Sequence, residues 1–153
     1  MKIKRGNVEH PQIIALLEEH LSDMYATSPA DSVHALDIDR LKTNDIHFFS
    51  GWFNHSLAGC IALKCLNDRE AEIKSMRTAI GHRGKGVASQ LLEHVSDFAT
   101  RQGIEMLYLE TGTHDYFLPA RTFYKKQGFH YCQPFAQYEN DPNSCFMVKG
   151  LGN

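Results

Sequence analysis

The stretch GHRGKGVASQLLEHV, Gly81 to Val95, sets three glycines and two cations directly before a regular apolar pattern. Val87, Ala88, Leu91, Leu92, Val95, Phe98 and Ala99 recur at the spacing of one helical face. Gln90, Glu93, His94, Asp97 and Arg101 fill the wet face, and Gly103 marks the end. A helix starting at Val87 leaves its first backbone N–H groups unpaired and carries a partial positive charge there. Glycines beside it remove the Cβ atoms that would hold a ligand off the backbone, and Arg83 and Lys85 add full charges at the rim. The combination predicts an anion site suited to phosphate or pyrophosphate.

Working outward, three strand-like runs precede this turn: IHFFSGWF, SLAGCIALKCL and EAEIKSMRTAI. Asn54-His55 and Asn67-Asp68 punctuate them as tight connections, which predicts an antiparallel meander. Upstream, KIKRG reads as an opening strand. Ile13, Ile14, Leu17, Leu21 and Met24 then recur at helical spacing from Pro11 to Tyr25. The segment ATSPADS breaks that helix, and DIDRLKT suggests a short second one. Downstream, IEMLYLET is apolar on both faces and reads as a buried central strand. YFLPARTFYKKQ reads as a further helix, with Pro119 near its start, lysines in its last turn and Gly128 beyond. FHYCQPFAQYE and SCFMVKGL supply two closing strands. The fold class is therefore α/β (α+β): a mixed sheet of about seven strands with helices on both faces.

The 153 residues form one domain, 1–153, large enough for a core without disulfides or metals. Hydrophobic residues at 42% and charged residues at 22% are those of a soluble globular protein. A net charge of −2 without a long basic run argues against a nucleic-acid partner. No apolar run reaches membrane-span length, and MKIKRGNVEH lacks a signal-peptide core, so a cytoplasmic location is expected. The four cysteines form no C-x-x-C pair; Cys60, in LAGCIAL, reads as a reduced core residue. The nine histidines form no known ligand motif, so no metal is expected.

Two phosphate motifs fail on this loop. A P-loop would need glycine at Ala79 and Ser or Thr at Gly86; a dinucleotide fingerprint on Gly84 and Gly86 would need glycine at Ser89. It also follows an antiparallel meander rather than opening a βαβ unit. A third pattern fits. Arg83-Gly84-Lys85-Gly86-Val87-Ala88 matches [RQ]-x-x-G-x-[GA], and EIKSMRTAIGHRGKGVASQLL, LYLETG and PARTFYKKQGF follow in order. With these motifs the chain resembles the GNAT superfamily of acyl-CoA N-acyltransferases, in a branch of small bacterial proteins of uncertain substrate.

That resemblance implies both a binding mode and a chemistry. The backbone from Arg83 through Ser89 would hold the diphosphate of coenzyme A, without a metal. Met76 and Thr78 would pair through their backbones with the pantetheine arm. Acetyl-CoA would be the co-substrate, and a primary amine of a small molecule or peptide the acceptor, attacking directly in a ternary complex. The alternative is a catalytically silent acyl-CoA sensor. An amine of pKa about 10 arrives protonated and must lose a proton; the leaving thiolate must gain one. Glu72 occupies the position of the general base in well-studied members, with Glu70, Glu110 and a water chain as substitutes; a solvated carboxylate or a partner for Lys74 is the plainer reading. Tyr124 matches the donor to the thiolate, or else is a core aromatic. His34, Asp37, Glu110 and Asn143 are candidates for the acceptor side, where SPADSVHALD and YENDPNSCFM would come together. The chain departs from the family in two places: Phe117 stands where an asparagine commonly bonds pantetheine, and Ile80 where a proline is usual. Many relatives pair, so the resemblance admits a homodimer.

Overall fold

Alternating and continuous apolar runs from Ile46 onward build one sheet. The computed structural model describes residues 1–34 and 37–152. Its strands are β1 (Lys2–Arg5), β2 (Ile46–Phe53), β3 (Ser56–Cys65), β4 (Glu70–Thr78), β5 (Met106–Gly112), β6 (His130–Cys132) and β7 (Ser144–Gly150). Its helices are α1 (Pro11–Thr27), α2 (Val87–Arg101) and α3 (Leu118–Lys126). The sheet order is β1-β2-β3-β4-β5-β7-β6. Among the described residues only the β4–β5 pair is parallel, so the expected mixed sheet of about seven strands is the observed one.

The sheet is covered on both faces. Ile13, Leu16 and Leu17 of α1 pack on Trp52, Leu57, Cys60 and Ala62. The stripe Val87, Leu91, Leu92, Val95, Phe98 and Ala99 of α2 packs on Ile61, Leu63, Ala71, Ile73, Leu107 and Leu109 from the other side. Pro11 opens α1, where its missing N–H costs nothing, and His10 Nδ1 accepts from Gln12 N at 3.1 Å. Cys60 is a free, fully buried thiol, and burial pushes its pKa up to about 12.

Two elements are shorter than their sequences suggest. DIDRLKT forms only a 3-10 turn, Arg40–Lys42, with Asp37 Oδ1 accepting from Arg40 N at 2.9 Å. The strand expected from FHYCQPFAQYE stops at Cys132. Pro134 has no N–H for a ladder and Ala136 takes a φ of 50°, so the chain leaves the sheet there.

Gly112, the last residue of β5, is seated under the ring of Phe117. A Cβ at Gly112 would clash with the ring of Phe117. Gly112→Ala is therefore expected to cost roughly 1–3 kcal/mol by overpacking, read from urea denaturation. An unchanged midpoint would mean that Phe117 moves freely.

Candidate active site

One irregularity in β4 opens the sheet. Cys60 pairs with Arg77 and Ala62 with Lys74, so Ser75 and Met76 both stand opposite Ile61. Ser75 takes a φ of 53° at this bulge, and Cys60 Sγ donates to its carbonyl at 3.2 Å. A bulge bends its strand and increases the twist. Accordingly β4 and β5 stay paired only from Glu70↔Met106 to Glu72↔Tyr108 and then part. The bulge also resets the side-chain alternation. Ala71, Ile73 and Met76 face α2 and α3, whereas Glu72, Lys74 and Arg77 face the α1 side. Between the parted strands lies a cavity of about 480 Å³, lined from both faces of the sheet.

The α1 side of the cavity is polar. Glu72 is buried, with Oε2 accepting from Tyr138 Oη at 2.6 Å and from Lys74 Nζ at 3.3 Å. Lys74 also donates to Tyr138 Oη at 2.9 Å. The Tyr138 ring meets His34 edge-on, 5.0 Å between centroids, and Ser32 Oγ donates to Asp141 Oδ2 at 2.6 Å. The two segments expected to form the acceptor side thus meet here. Burial, aided by Lys74, lowers the His34 pKa. Glu110 follows Leu107 and Leu109 at alternating positions of β5 and so shares the face of Glu72. Burial raises its carboxyl to about 7, with Ser144 and Lys74 pulling down and Glu72 and Asp141 pushing up. The Ser144 hydroxyl nevertheless reaches no partner at full hydrogen-bonding geometry.

Arg77 is buried, and its Nη2 donates to Glu19 and, at 2.7 Å, to Asp23, both on α1. Tyr116 Oη donates to the same Asp23 oxygen at 3.2 Å. This ties the segment before α3 to α1 across the cavity mouth. His20, one position from Glu19, lines the cavity; burial, reinforced by Arg77, lowers its pKa to about 4.

On the opposite face, Tyr124 is 8% exposed and donates to Met76 Sδ at 3.2 Å. Burial raises its pKa, so the phenol keeps its proton at neutral pH. Beside it, α2 begins at Gly86, whose left-handed φ of 74° suits glycine, and no side chain caps that end. The first intrahelical bond runs from Gln90 N to Gly86 O, leaving the earlier N–H groups to a ligand. A Cβ at Gly84 or Gly86 would meet nothing within 4 Å, so the space over the loop is open. Unpaired N–H groups at an open helix start are donors suited to an anion such as a phosphate.

Of the sequence-predicted residues, Glu72, Met76, Thr78, Arg83, Ala88, Glu110, Tyr124 and His34 line this one cavity. Lys85 leans over the Phe53 ring, 5.6 Å from its centroid. The Val87 side chain is in the core, so it can offer only its backbone. Ser89 Oγ accepts from Gln127 Nε2 at 3.4 Å. Asp37 and Asn143 lie outside the cavity lining; Asn143 Oδ1 contacts His114 Nε2 at 3.0 Å. Sequence reasoning passed over His20, Lys74 and Tyr116 as site residues. Each sits among other polar residues, Glu18 and Glu19 before His20, Glu72 near Lys74 and Asp115 before Tyr116, so no local pattern marked them.

The sheet thus parts at a bulge, with an uncapped helix start on one face and the carboxyls of Glu72 and Glu110 on the other. The chain belongs to the acetyltransferase (GNAT) family, whose model matches residues 13–129. An uncharacterized N-acetyltransferase of Bacillus subtilis, YsnE, is 48% identical over 151 residues, covering 99% of this chain and 100% of its own. An acetyltransferase structure from Streptococcus agalactiae superposes with a TM-score of 0.75 at 24% identity, covering 98% of each chain. A GNAT acetyltransferase from Elizabethkingia anophelis with acetyl-CoA bound gives 0.69 at 19% identity, covering 98% of this chain and 97% of its own. At such identities the two structures speak for the fold. The family and the sequence relative make this chain an N-acetyltransferase.

Proposed function

We propose that this protein transfers the acetyl group of acetyl-CoA to a primary amine of a small molecule or peptide, by direct attack in a ternary complex. The observation that carries this reading is the cavity passing between β4 and β5. Its walls include Tyr124 and Ala88 from one face of the sheet and Glu72, Lys74 and Glu110 from the other. The diphosphate is held by backbone N–H groups from Gly84 through Ser89, with Arg83 and Lys85 at the rim. The pantetheine arm runs along the unpaired edge of β4, past Met76 and Thr78, with Phe117 supplying an apolar wall where relatives offer an amide. The thioester then lies in the opening. The acceptor amine reaches it from the α1 side, and the sulfur departs beside Tyr124.

Each step balances. The amine nitrogen bonds to the thioester carbon as the carbonyl π pair moves to oxygen, where backbone N–H groups of the β4 edge stabilise the charge. A proton leaves nitrogen for a base on the α1 side. The carbon–sulfur bond then breaks, and the sulfur takes the Tyr124 proton, which is restored through solvent.

The test is thiol release from acetyl-CoA with a panel of n-butylamine, a diamine, an amino sugar, a free amino acid and a short peptide. Amine-dependent release is expected from at least one; a chain that binds acetyl-CoA and releases thiol with none is a sensor. Gly86→Val should raise the acetyl-CoA dissociation constant roughly 10- to 100-fold, the loss of one or two charge-assisted bonds. The left-handed strain should cost the fold only about 1–2 kcal/mol. Calorimetry with and without a chelator reads both the affinity and its independence of magnesium. Native affinity in folded Gly86→Val would remove the loop from the binding site.

A further inference from the structure

We propose that Glu110, rather than Glu72, takes the proton from the attacking amine, and that Glu72 is a positioning residue that anchors the acceptor-side segment through Tyr138. The inference rests on the acetyl-transfer reading and deepens it.

The geometry separates the two carboxyls. Glu72 stands at the last paired position of β4, before the strands part. Its Oε2 is held by Tyr138 at 2.6 Å and by Lys74 at 3.3 Å, and its side chain is 3% exposed. Both donors converge on one oxygen, Oε2, which fixes the side chain and turns it towards the segment that carries Tyr138. Its alternative role is visible in the fold. The chain leaves the sheet after Cys132 and returns at Ser144, and Tyr138 lies midway along that excursion. Its hydroxyl reaches Glu72 and Lys74, while its ring touches His34, Phe135 and Phe146. Glu72 and Lys74 are therefore a polar anchor at the middle of the 133–143 segment, whose far end sets Asp141 against Ser32 and Asn143 against Thr113.

Glu110 stands two residues beyond the last paired position of β5, where the strands have parted, and lines the cavity. Among the described residues no side chain makes a full hydrogen bond with its carboxyl, and Ser144 lies beside it, short of one. Its surroundings also hold it poised for proton exchange at neutral pH. The groups acting on it are Lys74 and Glu72 on β4, Ser144 and Cys145 on β7, and Tyr138 and Asp141 on the intervening segment. The amine N–H proton passes to the Glu110 carboxylate as the carbon–nitrogen bond forms. It offsets the proton that Tyr124 gives to sulfur.

The test compares pH–rate profiles of the intact chain and its variants, with acetyl-CoA and the fastest amine of the panel, n-butylamine serving as reference. Wild-type turnover should rise with pH through about 7. Glu110→Gln should lose this rise and fall in turnover by roughly 10²–10⁴-fold, with acetyl-CoA affinity retained. Glu110→Asp keeps the rise at a lower rate and serves if the glutamine variant does not fold. Glu72→Gln should keep the rise but move it to lower pH, because a negative neighbour of Glu110 is gone, and should raise the acceptor KM. Tyr138→Phe should raise the same KM. Lys74→Met should move the rise to higher pH. An unchanged rise in Glu110→Gln, or its disappearance in Glu72→Gln alone, overturns the assignment. Absence of amine-dependent thiol release in the wild type would instead overturn the acetyl-transfer reading.

Discussion

Tyr124→Phe is expected to lower turnover by roughly 10²–10⁴-fold while leaving acetyl-CoA affinity near that of the native chain. Among the described residues the phenol has one side-chain partner, Met76 Sδ at 3.2 Å, and a thioether is a weak acceptor. Losing that bond costs the resting protein little. The ring contacts, 5.4 Å to Phe123 and 5.6 Å to Phe129 between centroids, survive in phenylalanine. What disappears is the proton that the proposed transfer hands to the leaving sulfur. Burial raises the pKa of the phenol, which keeps that proton in place at neutral pH. A thiolate expelled into the same apolar surroundings is raised with it, so burial does not by itself oppose the transfer. A ground-state thioester gains little from such a donor, so the loss falls on turnover rather than binding. Acyl donors with more acidic thiols should narrow the deficit, as should alkaline pH, where a thiol of pKa about 8.5 leaves unprotonated. Full activity of a folded Tyr124→Phe chain at neutral pH would exclude Tyr124 as the acid.

The parts of this architecture that were legible in the sequence are those with a strong period or a conformational demand. The stripe from Val87 to Ala99 admits only a helix, and Gly84 and Gly86 signal the positive φ values that the turn adopts. The meander arises from two Asn-containing turns; Asn54 takes the expected left-handed φ of 53°. The bulge at Ser75 was not legible. Serine has no special tolerance for positive φ, and an extra residue shows only in the pairing register. Strict alternation would have put Glu72, Lys74, Met76 and Thr78 on one face. The bulge instead sends Met76 to Tyr124 and Arg77 to Glu19 and Asp23, which no local pattern encodes. The partner of Tyr138, more than sixty residues away on β4, was hidden for the same reason. Sequence could bring the two acceptor-side segments together, but could not say which carboxyl their contact would occupy.

The buried carboxyl at Glu110 also shapes stability, which can be measured without any acceptor. Its pKa rises from 4.5 to about 7 on folding, so between those values the folded chain binds the extra proton. Stability tied to Glu110 is complete below about pH 4.5 and is lost as pH rises through about 7. At 1.36 kcal/mol per unit, the loss is about 3 kcal/mol. Other groups titrate in the same range with opposite sign. His20, lowered to about 4 by burial, and His34, also lowered, cost stability when the unfolded chain protonates, and so favour the fold as pH rises towards 6.5. The raw curve for the wild type therefore mixes the two effects. Subtracting the curve of Glu110→Gln isolates one of them, because both histidines are common to the pair. The variant should match the wild type in urea denaturation near pH 4.5 and exceed it by about 3 kcal/mol at pH 8, while turning over acetyl-CoA far more slowly. Parallel curves across this range would show that the Glu110 carboxyl finds water or a donor in the folded chain. They would take away the physical basis for its ionising near neutrality. A gain in stability at pH 8 paired with a loss of turnover would mark Glu110 as a group kept at the expense of the fold for the sake of the reaction.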